Sequence, residues 1–214
     1  MAPLNGALSR MACVDFAEAR EENSNAAADD LGLRQQRSTP GIRHYQIARE
    51  LGRRLAQAGF VVVSGGYRGT MEAVSRGAKE AGGRTIGVTV DRFDRWGLKA
   101  NPYLDVEIKF PTLFQRLHYL VTTGDALIAL PGGIGTLSEM ALAWSLLQTG
   151  ELPPRPFLLL GSRWRRLLEA YLDPFYIREE DAAILQLVET PEEAIATLEA
   201  RLERPVERIS RPWG

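Results

Sequence analysis

Three short apolar runs constrain this chain more than anything else in it: Phe60 to Val63 closed by Ser64, Ala126 to Leu130, and Phe157 to Leu160. Each is followed by a turn and then by a helical pattern. Runs of four or five apolar residues are too short for a helix, and without alternating polar positions they read as strands buried on both faces. Strands of that kind, alternating with helices, pair in parallel through right-handed crossovers. The expected fold is a doubly wound α/β domain, Rossmann-like, with a mostly parallel sheet and helices on both faces.

The other elements fill in around these strands. A helix is expected from Gly41 to Ala58, where Ile42, Tyr45, Ile47, Ala48, Leu51, Leu55 and Ala56 recur at helical spacing and Gly59 closes the pattern. Further helices are expected over 71–81, 112–123, 136–148 and 163–171. Strands are expected over 85–90, 104–110 (an edge strand of alternating polarity) and 184–188. Residues 91–103 read as an irregular loop whose Trp96 either packs against the body, the commoner case, or covers a ligand. Thr190-Pro191-Glu192-Glu193 opens a final helix with a threonine cap, a proline in its first turn and early acids. Residues 39–214 are read as a single domain. Residues 1–38 are read as an N-terminal arm, poorly ordered or loosely docked, in which 11–17 suits either a short strand or a helix start.

Composition excludes several classes. With 26 basic and 27 acidic residues in 214, the net charge of −1 gives no electrostatic reason to expect nucleic acid or a membrane surface as partner. No apolar stretch reaches the roughly 18 residues of a membrane span, and the N-terminus lacks a signal-peptide layout. The single cysteine, Cys13, excludes an internal disulfide and a cysteine-only metal site, so a cytoplasmic location is expected.

Chemistry is expected at two glycine turns. The second reads Pro131-Gly132-Gly133-Ile134-Gly135-Thr136-Leu137-Ser138-Glu139, between a strand and a helix. Its glycines lack the Cβ atoms that would hold a ligand away from the backbone. The first N–H groups of the helix, with the positive end of its dipole behind them, favour an anion such as phosphate. Glu139 lies one turn beyond Thr136 on the same face. The bland alternative is a tight connection followed by a surface glutamate. The first turn, Gly65-Gly66-Tyr67-Arg68-Gly69, follows Ser64 in the same way. Both turns belong to the carboxyl edge of the sheet, where ligands of such folds bind, so two helix N-termini are expected to converge on one anion.

Several familiar sites do not fit. Neither turn carries the lysine of a P-loop, and the strand after the second ends in Leu160-Gly161-Ser162 without the acid that a dinucleotide ribose needs. His44 and His118 are the only histidines and lie in no metal-ligand spacing, so no metal and no cofactor are expected. No GxSxG elbow is present.

Pro131, Gly132, Gly133, Gly135, Thr136 and Glu139 meet in full the PGGxGTxxE pattern of the Lonely Guy (LOG) family, which 41–154 resembles. Ser64-Gly65-Gly66 with Gly69 and Met71-Glu72-Ala73 is similar to the family's glycine-rich segment. Arg116 stands where the family places an arginine. The chain departs from the pattern in Leu117, where the family has lysine, in Leu113-Phe114, where Met-His is usual, in Gly66-Tyr67-Arg68-Gly69 for Gly-Gly-Gly/Pro-Gly, and in lacking a clear first strand ending in Gly-Ser.

The resemblance implies hydrolysis of the N-glycosidic bond of a nucleoside 5′-monophosphate, AMP or a cytokinin riboside monophosphate, to free base and ribose 5-phosphate. Glu139 would face the ribose, and Arg116 would orient the phosphate or support the leaving base. Gly65, Gly66, Gly69, Gly132, Gly133, Gly135 and Thr136 would bind the substrate. A homodimer is implied as well. The competing reading is a non-catalytic carrier or sensor of a phosphorylated ligand, of the molybdenum cofactor carrier type.

Overall fold

The computed structural model describes residues 10–15 and 40–202. Seven strands form one sheet, β1 (Met11–Asp15), β2 (Val61–Ser64), β3 (Thr85–Val90), β4 (Val106–Phe110), β5 (Ala126–Ala129), β6 (Phe157–Leu160) and β7 (Leu185–Val188). Their order is β4-β3-β2-β1-β5-β6-β7 and every pairing is parallel. The helices are α1 (Pro40–Gln57), α2 (Thr70–Glu80), α3 (Asp91–Asp94), α4 (Leu113–Thr122), α5 (Ile134–Thr149), α6 (Ser162–Tyr171), α7 (Glu179–Ala182) and α8 (Pro191–Leu202). This is the doubly wound α/β architecture expected from the sequence. No helix among the described residues is long and apolar enough to cross a membrane.

Alternation along the strands divides the core in two. Ala12, Val14, Val62, Ile128 and Leu158 face α1, α2 and α8, while Cys13, Val63, Leu127, Phe157 and Leu159 face α4, α5 and α6. Buried apolar area on both faces is the main favourable term holding such a sheet together. On the first face α1 and α2 approach backbone to backbone. A Cβ on Gly52 would lie 1.9 Å from the Val74 carbonyl oxygen, and one on Gly77 would lie 1.8 Å from that of Arg49. Only hydrogen fits at either position.

The arm expected over residues 1–38 is corrected in part. Met11–Asp15 is the central strand, in register with Val61–Val63 on one side and with Ala126–Ala129 on the other. Ala12, Cys13 and Val14 are fully buried. Small Ala and Cys side chains carry little strand propensity, so the run looks weak in isolation and is held by its neighbours. The Asp125 carboxylate accepts from the Met11 N–H, and the Asp125 N–H donates to the Met11 carbonyl. The rest of that arm lies outside the described residues. The four-residue helix α3 falls within the loop expected over 91–103, a second short helix, α7, precedes β7, and the predicted strand over 104–110 is an edge strand beginning at Val106.

The strand order reverses at β1. From it, β2, β3 and β4 step one way and β5, β6 and β7 the other. The helices that follow diverge there, opening a crevice beyond the carboxyl ends of β1, β2 and β5. Both glycine turns lie at that edge, the first after β2 and the second after β5.

Candidate active site

The second turn faces outward. Gly133 caps α5 without a side-chain hydrogen bond, and the helix starts at Ile134, two residues earlier than predicted. A Cβ on Gly133 or on Gly135 would meet no atom within 4 Å, so the space beside the turn is open. Thr136 and Glu139 turn inward from the same helix and are 2% and 4% exposed. The alternative of a surface glutamate is therefore excluded.

The first turn is bound to the protein. Gly66, at φ +79°, donates its N–H to the Ser64 hydroxyl, and a Cβ there would press on Thr89 and Gly87. Asn101, itself buried, donates its side-chain amide to the carbonyls of Gly66 and Tyr67, each at 3.0 Å, and its backbone N–H also reaches Gly66. Glycine at position 66 thus answers to a left-handed backbone and a crowded sheet edge. Gly69, at φ +72°, caps α2. Gly65 is buried and offers its carbonyl to Arg116.

Arg116 joins these parts. Thr112 caps α4 through the Gln115 N–H, which sets the first turn of that helix and aims Arg116 into the crevice. Although an arginine near a helix start is commonly solvated, this one is 6% exposed. Nε donates to the Val88 carbonyl at 2.8 Å, Nη2 to the Gly65 carbonyl at 3.2 Å, and Nη1 to Glu139 Oε1 at 3.3 Å. One planar fork therefore binds the end of β3, the first turn and the acid of α5 together. The role expected for Arg116 from the sequence was contact with phosphate or base. Toward the protein, its hydrogen bonds go to main-chain carbonyls and to Glu139.

Over the Arg116 guanidinium lies the Tyr67 ring, its centroid 5.8 Å from Cζ. The Tyr67 hydroxyl accepts from the Val90 N–H at 2.8 Å and donates to the Val90 carbonyl at 3.2 Å. Burial raises its pKa above the usual phenol value, although the Val90 hydrogen bond opposes this. The phenol therefore keeps its proton at neutral pH and remains a donor. Tyr67 and Asn101 were not expected from sequence as site residues. The one signal for Tyr67 is an aromatic residue inside a glycine turn.

Other residues that stand out in the sequence fall outside the site. His118 is exposed on α4 rather than packed, and Arg163, Arg165 and Arg166 form a solvated face, with Arg165 paired to Glu189. Gly132, by contrast, belongs to the second turn and is half-buried on the approach to α5. A separate groove of about 480 Å³ runs along the outer side of α5, lined by Leu137, Ala141, Trp144, Leu167, Tyr171 and Tyr176 among others.

Comparison with known proteins gives this arrangement a context. Residues 31–149 match the model of the SLOG cluster4 family. An uncharacterized protein from Archaeoglobus fulgidus is 36% identical over 46% of this chain and 63% of its own length, so the chain spans less than two thirds of that relative. A cytokinin riboside 5′-monophosphate phosphoribohydrolase from Mycobacterium tuberculosis is 30% identical over 70% of this chain and 82% of its own. Among solved structures, the molybdenum cofactor binding protein from Rippkaea orientalis superposes with a TM-score of 0.64 over 91% of this chain and 98% of that one. At 24% identity that likeness speaks for the fold alone.

Proposed function

The chain belongs to the LOG family, and from that premise we propose that it hydrolyses the N-glycosidic bond of a nucleoside 5′-monophosphate, of the AMP or cytokinin riboside monophosphate type, releasing free base and ribose 5-phosphate. The observation that carries the reading is a buried carboxylate, Glu139, held by the buried Arg116 and carried on the helix whose N-terminus stands open at Gly133 and Gly135. Phosphate sits on the open N–H groups of α5, with Gly132 and Thr136 completing the cradle. The ribose then extends toward Glu139. As the bond to the base breaks, positive charge develops on the sugar and the fixed carboxylate stabilises it. Water adds its oxygen to the anomeric carbon, and its proton leaves with the base. Arg116 supplies the counter-charge that makes a buried carboxylate tolerable and fixes where it points.

Incubating the purified protein with AMP and other nucleoside 5′-monophosphates tests this, with chromatography of base and sugar phosphate as the readout. Release that is lost in Glu139→Gln supports the assignment. No free base from any monophosphate overturns it.

A second reading is a carrier of a phosphorylated ligand, the alternative that the sequence left open. The same cradle serves a pterin phosphate. A carrier retains its ligand through purification, so mass spectrometry of the isolated protein separates the two readings. The homodimer implied by the resemblance fits the groove on the outer side of α5, where Leu137, Ala141 and Trp144 present apolar surface. A second copy covering that face would remove it from water.

A further inference from the structure

From the contacts around the first turn we infer that Tyr67 is a positioning residue: its ring holds the Arg116 guanidinium in place and, through it, the Glu139 carboxylate. This rests on the hydrolase reading for its kinetic consequence, though not for its structural one.

The hydrogen bonds from Arg116 to Val88, Gly65 and Glu139 all leave from the edge of the guanidinium. Hydrogen bonds in its plane fix the orientation of a guanidinium but resist least a displacement along its normal. Here Cζ of Arg116 lies over the face of the Tyr67 ring, 5.8 Å from the centroid and within cation–π range. The ring is in turn immobile. It is 4% exposed, packs against Phe93 at 5.4 Å between centroids, and is tethered at its far end by two hydrogen bonds to Val90. Its backbone is held by Asn101.

The side chain thus has two separable parts. The hydroxyl ties the turn to the end of β3, whereas the ring meets Arg116. A merely structural role would reside in the hydroxyl and its buried partners, because removing it strands the Val90 N–H. A positioning role resides in the ring.

Tyr67→Phe and Tyr67→Leu separate the two. Tyr67→Phe is expected to lower the melting temperature yet keep kcat within about threefold of the parent, since the ring remains. Tyr67→Leu keeps apolar bulk, loses the π face, and is expected to lower kcat about tenfold or more with KM little changed, because the phosphate cradle on α5 is untouched. Equal kcat in the two variants, or a loss confined to KM, overturns the inference. The Arg116 side chain also reports directly by NMR: a held guanidinium rotates slowly about Nε–Cζ and keeps its Nη protons resolved, so they should stay resolved in Tyr67→Phe and average in Tyr67→Leu. Nη resonances still resolved in folded Tyr67→Leu overturn the inference even if no monophosphate is cleaved. Averaged resonances in a protein that releases no base leave the positioning intact and sink the hydrolase reading instead.

Discussion

Arg116 and Glu139 stand 23 residues apart on different helices, yet Nη1 of the first lies 3.3 Å from Oε1 of the second with both side chains buried. Removing one partner of such a pair leaves an uncompensated charge and costs about 3–5 kcal/mol of stability. Glu139→Ala therefore mixes unfolding with lost chemistry. Glu139→Gln also removes the charge but keeps the shape and an acceptor for Arg116, so it is the cleaner variant. Its kcat for the best monophosphate is expected to fall by about 10²–10³, with circular dichroism unchanged. Parent-like base release from this variant would remove Glu139 from the reaction.

Gly133→Ala separates binding from folding. Its φ of −90° is ordinary for alanine, and the added methyl meets nothing within 4 Å. Thermal unfolding should match the parent, while KM for a monophosphate rises about tenfold or more as the methyl enters the space of a phosphate oxygen. Unchanged KM would put the phosphate elsewhere.

Gly77→Ala tests the helix pair. Alanine gains about 1 kcal/mol of helix propensity over glycine, but the new Cβ would lie 1.8 Å from a backbone carbonyl that cannot swing aside. Overpacking of that kind costs about 1–3 kcal/mol or more and outweighs the gain. The urea midpoint should fall, and the same substitution at Gly52 should behave alike. A higher midpoint would mean that α1 and α2 can separate freely.

Asp105 gives a pH prediction. Burial pushes its carboxyl pKa up, but Lys79 at 2.6 Å and the Thr85 N–H at 2.8 Å outweigh burial and hold it below the usual carboxylate value. Because the folded value is depressed, its contribution is complete above the unfolded pKa of about 3.9 and vanishes as pH falls through the folded one. Asp105→Asn should be about 1–2 kcal/mol less stable than the parent at pH 7. That gap should begin to narrow at about pH 4 and close once the pH lies below the folded value. Denaturant titrations at both pH values check this, and a gap that persists in acid would contradict it.

Ala141 is exposed in the α5 groove. A dimer closed across that face should become monomeric in Ala141→Glu, since a buried unpaired carboxylate is costly. Light scattering on both proteins reads the mass. An unaltered dimer would place the interface on another surface.

The two glycine turns were legible in the sequence because each breaks an apolar run with residues that only a close backbone approach or a left-handed φ explains. What each turn does was not. Gly133 and Gly135 face open space, while Gly66 faces Gly87 and Thr89 on the neighbouring strand, and local sequence does not distinguish these surroundings. The partnership of Arg116 with Glu139 depends on where α4 and α5 start relative to the sheet edge, a tertiary fact. Tyr67 left a faint trace as an aromatic among glycines, and Asn101 left none, since its amide works on a turn 35 residues before it. Met11–Asp15 was the main loss. A strand of small residues shows its importance only between two partners.

That strand sets an order on biosynthesis. β1 leaves the ribosome first, yet the strands that flank it begin at residues 61 and 126. Its backbone therefore waits through most of translation with at least one edge unpaired, and the middle of the sheet is sealed only when β5 emerges. A nascent chain stalled before residue 126 would expose that edge, making the first strand a natural grip for chaperones and a point of aggregation.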